Sequence, residues 1–243
     1  MYKRQAYWAA HGGRHDRHQN RQARNARTAQ RACRLDWLGH IDVDEFLHAP
    51  RPVADILAEV PPGTPDLRME PFEAMHDDLP DDIFTARRFR GPLHDRHRAL
   101  RPAVLGSAAG LLPKGNLSHA NGKSFCRAAM PGVTLRLHAV FLKQERTQTP
   151  FSPDLRLLHF HAQDYAAWRR SLPFRLERGA YQYHPALQTY LTAATDDQIR
   201  DFYLTTQTLT LEKASLLQAH DRLITADLGL RTKVQALSAG GFG

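Results

Sequence analysis

Cysteine is scarce in this chain: Cys33 and Cys126 are the only two among 243 residues. They lie far apart and match no metal or redox spacing, which argues against a disulfide framework and for reduced thiols in a cytoplasmic protein. No apolar run reaches the roughly 18 residues that span a bilayer, so no transmembrane helix is expected. The start, Met1-Tyr2-Lys3-Arg4, lacks the apolar stretch of a secretory signal. No internal repeat is visible, and most of the chain lacks net charge. The formal excess of +8 is confined to residues 1–34, where nine Lys and Arg residues face Asp16 alone. Such a segment is either a solvated helix face or a contact for RNA, an anionic lipid surface or a polyphosphate.

What is present reads as one sizeable core with a helical appendage. Residues 1–16 form a basic, disordered stretch. From His18 to Arg34, Ala23, Ala26, Ala29 and Cys33 recur at helical spacing among Arg and Gln. Trp37 to Val43 predicts a buried strand. Pro52 opens a short helix from Val53 to Val60, which Pro61-Pro62-Gly63-Thr64-Pro65 stops. Asp66 to Ala74 reads as a strand, and residues 76–122 as a long loop-rich stretch, of a length that is often functional. Three further strands are expected at Lys123–Ala128, Thr134–Leu142 and Leu155–His161. Helices follow from Asp164 to Arg178, from a capping box at Thr195 through Tyr203, and from Leu211 to Asp221. These elements place an α/β domain over residues 17–190 and a helical C-terminal extension over 191–243.

The chemistry concentrates at Asp42-Val43-Asp44-Glu45, where an apolar strand meets a loop. Alternation puts Asp42 and Asp44 on one side of the extended chain. Adjacent carboxylates repel unless a cation or donor lies between them. Hard oxygen ligands at a strand end suit Mg²⁺ or Mn²⁺, which keep waters and bind substrate phosphates. A solvated acidic turn is the plain alternative. His159 and His161 alternate on the last strand, and two imidazoles on one face could ligate a metal. His161 is the preferred ligand, being nearer the strand's C-terminal end.

Trp37-Leu38-Gly39-His40-Ile41-Asp42-Val43-Asp44-Glu45-Phe46-Leu47 resembles the Asp-x-Asp segment of bacterial family-2-like glycosyltransferases of GT-A type. Leu117-Ser118-His119-Ala120-Asn121-Gly122-Lys123-Ser124-Phe125 is similar to that family's Ser-His-x-x-Gly-Lys-x-Phe segment. Arg136-Leu137-His138 resembles its Arg-x-His strand, and Leu158-His159-Phe160-His161 its late His-Phe-His strand. The four occur in the family's order between Gln19 and Tyr181. The resemblance implies a GT-A-like mixed sheet flanked by helices. Strand–helix units that hold the donor's base and ribose would precede the basic helix in that family, so the chain reads as a member without that portion.

It further implies sugar transfer, with inversion, from a nucleotide-sugar donor to a glycan, lipid-linked or protein acceptor. Mn²⁺ or Mg²⁺ would sit on Asp42, Asp44 and His161. His119, Lys123, Arg136 and His138 would contact the donor or acceptor. The catalytic base would fall among Glu70, Glu73, Asp77 and Asp78, with Glu73 and Asp77 the leading choices. Many such acceptors are membrane-linked, so an anionic membrane surface at the inner face of the membrane is an expected contact, and no specific nucleic acid is. A metal-dependent phosphohydrolase and a non-catalytic binding protein remain as rival readings.

Overall fold

The computed structural model describes residues 18–32, 34–76, 83–162 and 164–239. The chain divides into two compact units. The first comprises residues 1–42, 49–70 and 121–155, and the second residues 43–48, 71–120 and 156–243. Helices C-terminal to residue 190 share one core with the helix that carries Trp168 and Leu172; the expected boundary at 16/17 lies outside the described residues.

In the first unit, β1 (Trp37–Gly39), β5 (Lys123–Arg127) and the first half of β3 (Asp66–Met75) lie side by side and antiparallel. Cys126 faces Leu38 on one neighbour and Asp66 on the other, and is fully buried. A second, three-stranded sheet is built from β6 (Val133–Arg136), β7 (Ala139–Leu142) and β8 (Glu145–Arg146). The expected single strand Thr134–Leu142 is therefore a hairpin. Arg136 pairs with Ala139, leaving Leu137-His138 as a two-residue turn. The basic helix α1 (His18–Ala32) packs on β6, with Ala26 buried beside Cys126, Val133, Leu135 and Val140. Of the small side chains at helical spacing, Ala26 is buried, Ala23 half-buried and Ala29 exposed, so the close approach is made at Ala26. The short helix α2 (Val53–Ala58) ends, as its sequence foretells, at the proline-rich turn. Arg127 secures that turn: its guanidinium donates to the carbonyls of Val60, Pro61 and Thr64 and lies 4.4 Å over the Trp37 ring.

In the second unit, β2 (Glu45–His48) pairs antiparallel with the end of β9 (Phe151–His159), setting Glu45 opposite His159. The second half of β3 pairs with β4 (Arg88–Arg90), and β4 with β10 (Leu223–Thr225), again antiparallel. Every strand pairing whose register is described runs antiparallel, and β9 also pairs β3.

Within the expected loop 76–122 the structure forms β4 and the short helix α3 (Arg101–Leu105). Helices α4 (Tyr165–Glu177), α5 (Pro185–Ala193), α6 (Asp196–Gln207), α7 (Leu211–Gln218) and α8 (Leu230–Ala239) follow. Asp164 caps α4 by accepting from the Ala167 amide at 2.9 Å. Pro173 costs α4 one backbone bond but does not end it, because Trp168 and Leu172 anchor the buried face. Each such side chain contributes roughly 1.5–3 kcal/mol by burial. The capping box at Thr195 forms as expected, with Gln198 returning the bond. Among the described residues no helix is long and apolar enough to cross a membrane.

Candidate functional site

The division between the units falls inside the Asp-x-Asp segment: Asp42 belongs to the first and Asp44 to the second. Each carboxylate has its own partners.

Asp42 meets Lys123 and Gln22. Lys123 Nζ lies 2.8 Å from Asp42 Oδ2, and Gln22 Nε2 donates to Oδ1 at 2.6 Å. The Lys123 side chain is wholly buried, whereas 27% of the Asp42 side chain is exposed. Gly122 makes this placement possible. It has φ of +67°, and a Cβ there would fall 2.0 Å from the Met69 carbonyl oxygen, so no other residue fits. The Gly122 carbonyl accepts from His138 Nδ1 at 3.2 Å. Burial and the neighbouring Lys123 charge lower the His138 pKa from 6.5 to about 4. His40, two residues before Asp42, is lowered by burial and by Lys123 against a smaller opposing effect of Asp42. Lys123, expected to neutralise a donor phosphate, is thus engaged by Asp42. Of the Arg136-His138 pair, only His138 joins this group. Arg136 stacks 4.2 Å over the Phe141 ring.

Asp44 meets His159 instead of the expected His161. His159 Nε2 lies 3.5 Å from Asp44 Oδ2, and the Asp44 carbonyl accepts from the Phe160 amide at 2.9 Å. Burial alone would pull the His159 pKa down; Asp44, Glu45 and Glu73 outweigh it and the net shift is upward. Partial burial would raise Asp44, but the hydrogen bond and charge of His159, with a weaker pull from Arg175, take it below the usual carboxylate range. His119 and His161 flank His159, with ring centroids at 6.0 and 5.2 Å. His161 is bound to other groups: Arg175 Nη1 donates to its ring from 2.9 Å, and the Tyr181 hydroxyl lies 3.1 Å from its Nε2. Burial, then the Arg175, His159 and His119 charges, hold His161 well below its usual pKa and therefore neutral. Trp168 Nε1 donates to the Tyr181 hydroxyl at 2.8 Å, fixing the outer partner.

Glu73 is buried and bonded to the backbone. It is 1% exposed and accepts from the Leu117 and Ser118 amides at 3.0 and 2.6 Å. Arg90 Nη2 lies 3.6 Å away and is itself buried. Both oxygens of Glu73, the expected base, are occupied, so it holds the turn that leads to His119. Glu70 is also buried. Asp77 and Asp78 lie outside the described residues.

A cation fits this second group only in part. Asp44 offers a partly exposed carboxylate, and His159 presents Nε2 to it at 3.5 Å. Among the described residues no group of three His, Cys, Asp or Glu side chains is arranged to hold a metal ion.

Reasoning from sequence missed Gln22, His40, Arg175 and Tyr181. For His40 a signal existed, since it alternates with Asp42 along the strand. The others carry no local signal. Compared with known proteins, the chain matches no family model, no curated protein and no solved structure.

Proposed function

We propose that this chain transfers a sugar from a nucleotide-sugar donor to an acceptor hydroxyl, with Mn²⁺ or Mg²⁺ held by Asp44 and His159. One observation carries the reading. The motifs that resemble the GT-A glycosyltransferases are far apart in sequence, yet each Asp of the Asp-x-Asp segment meets a residue of another motif: Asp42 meets Lys123, and Asp44 meets His159.

When bound, the cation supplies Lewis-acid charge that offsets the departing nucleoside diphosphate. The protein's own residues do the positioning. Asp44 and His159 are 3.5 Å apart, longer than a good hydrogen bond, so the contact yields readily to a shared ligand. His159 must be neutral to ligate, so metal and proton compete for it. Lys123 orients Asp42 and offsets its charge. Glu73 fixes the turn bearing His119, which is then poised for the donor or acceptor. Burial and the Arg175 charge keep His161 neutral, and Arg175 and Tyr181 occupy its ring nitrogens.

The test is turnover. Purified chain is incubated with a panel of nucleotide sugars and Mn²⁺, and release of nucleoside diphosphate is measured. Release from one donor, lost on Asp44→Asn and on chelation, supports the reading. Hydrolysis of phosphate esters without donor preference would replace it with a phosphohydrolase.

A further inference from the structure

The first unit holds a pocket that neither Asp-x-Asp carboxylate lines. It lies between α1 and the β6–β7–β8 sheet and has a volume of about 590 Å³. Its lining gathers Arg27, Arg31, Arg136 and Lys143 and contains no carboxylate. Among the described residues none of these four cations is ion-paired.

The arrangement is built, not incidental. Gln30 fixes α1 against the free edge of β6: its Nε2 donates to the Val133 carbonyl and its Oε1 accepts from the Leu135 amide, both at 2.9 Å. One side-chain amide thus takes the place of a neighbouring strand. Arg27 and Arg31 stand on either side of Gln30, four residues apart on one helix face, where like charges repel. Arg136 is held over the Phe141 ring, which turns its guanidinium into a fixed donor. Lys143 opens the β7–β8 turn with φ of +49°, followed by Gln144 at +73°. That turn normally selects Asn or Gly, and a side chain in the left-handed region is strained. Here both turn residues line the pocket. Repulsion between convergent cations at one concave place is what a bound anion offsets.

We propose that this pocket binds the oligophosphate group of a soluble ligand. Several phosphates in a row match several convergent cations, and arginine forks grip phosphate oxygens in pairs. The pocket is concave, and its one aromatic ring is covered by Arg136. It offers no apolar wedge for a bilayer, as a membrane-surface face would.

Calorimetric titration of the whole chain with sodium tripolyphosphate, in the presence of a chelator, tests this. The chelator separates it from the metal-dependent donor binding above, so either can fail alone. One binding event per chain is expected, weakening as salt rises. Arg27→Gln with Arg31→Gln should weaken it by about tenfold or more, while Arg170→Gln, on the exposed face of α4, should not change it. Lys143→Gly provides an arm independent of folding defects. It removes a cation and relieves the backbone, so thermal stability should hold or rise while binding falls about threefold. No binding by the native chain, equal binding by the double variant, or binding only to phosphatidylserine vesicles without competition by tripolyphosphate would overturn the proposal.

Discussion

Asp42→Ala strips the buried Lys123 ammonium of its carboxylate, and the cost can be worked from the geometry. The Lys123 side chain has no exposed surface, and its nitrogen sits 2.8 Å from Asp42. Removing one partner of a buried pair typically costs about 3–5 kcal/mol, because the other charge stays desolvated. Asp42 retains 27% exposure, so water attenuates the pair and the lower part of that range applies. Gln22 also loses its acceptor, adding roughly 1 kcal/mol. We expect a loss of about 3–4 kcal/mol in urea denaturation followed by circular dichroism, or roughly 6–15 °C in melting temperature. The decisive comparison is Asp42→Ala combined with Lys123→Met. Methionine fills much of the lysine stem's volume without a charge, so the double variant should recover at least half of the loss. A double variant no more stable than Asp42→Ala would show that the penalty does not come from a stranded charge.

Other consequences follow from the same clusters. His138 has a folded pKa of about 4 against 6.5 when unperturbed, so the unfolded chain binds the proton first. Stability should be complete above pH 6.5, fall as the pH drops and level off below about 4, by up to about 3 kcal/mol; His138→Gln should flatten that slope in denaturation curves. Glu73→Ala leaves Arg90 and two buried amides without their carboxylate and should cost about 3–5 kcal/mol; a loss below about 1 kcal/mol would contradict the role given to Glu73. Thr195→Ala removes the capping-box hydroxyl of α6 and should cost about 1 kcal/mol, with no effect on metal binding.

Much of the fold could be read from local chemistry, and its failures have local causes. The helix opening at Asp164 and the capping box at Thr195 each report an interaction within one element, and both formed. The β6–β7 turn was hidden because apolar alternation continues straight through Leu137-His138, and neither residue is a turn former. The β7–β8 turn, Lys143-Gln144, is equally unmarked because it uses left-handed residues without glycine. At the candidate site, residue types were legible but pairings were not. Lys123 and Asp42 are 81 residues apart, and no local rule joins them. The choice of His161 rested on its place near a strand end. Register decides otherwise, because β2 lies against β9 with Glu45 opposite His159. That leaves His161 beyond the strand, where Arg175 and Tyr181 take it.

The central claim, a metal-assisted donor site at Asp44 and His159, is tested most directly by titrating a nucleoside diphosphate into the chain with and without Mn²⁺, for the native protein and for Asp44→Ala. The account predicts binding that requires Mn²⁺, weakens as the pH falls and protons compete for His159, and is lost in Asp44→Ala while the fold is kept. Mn²⁺-dependent binding of equal strength in Asp44→Ala would contradict it.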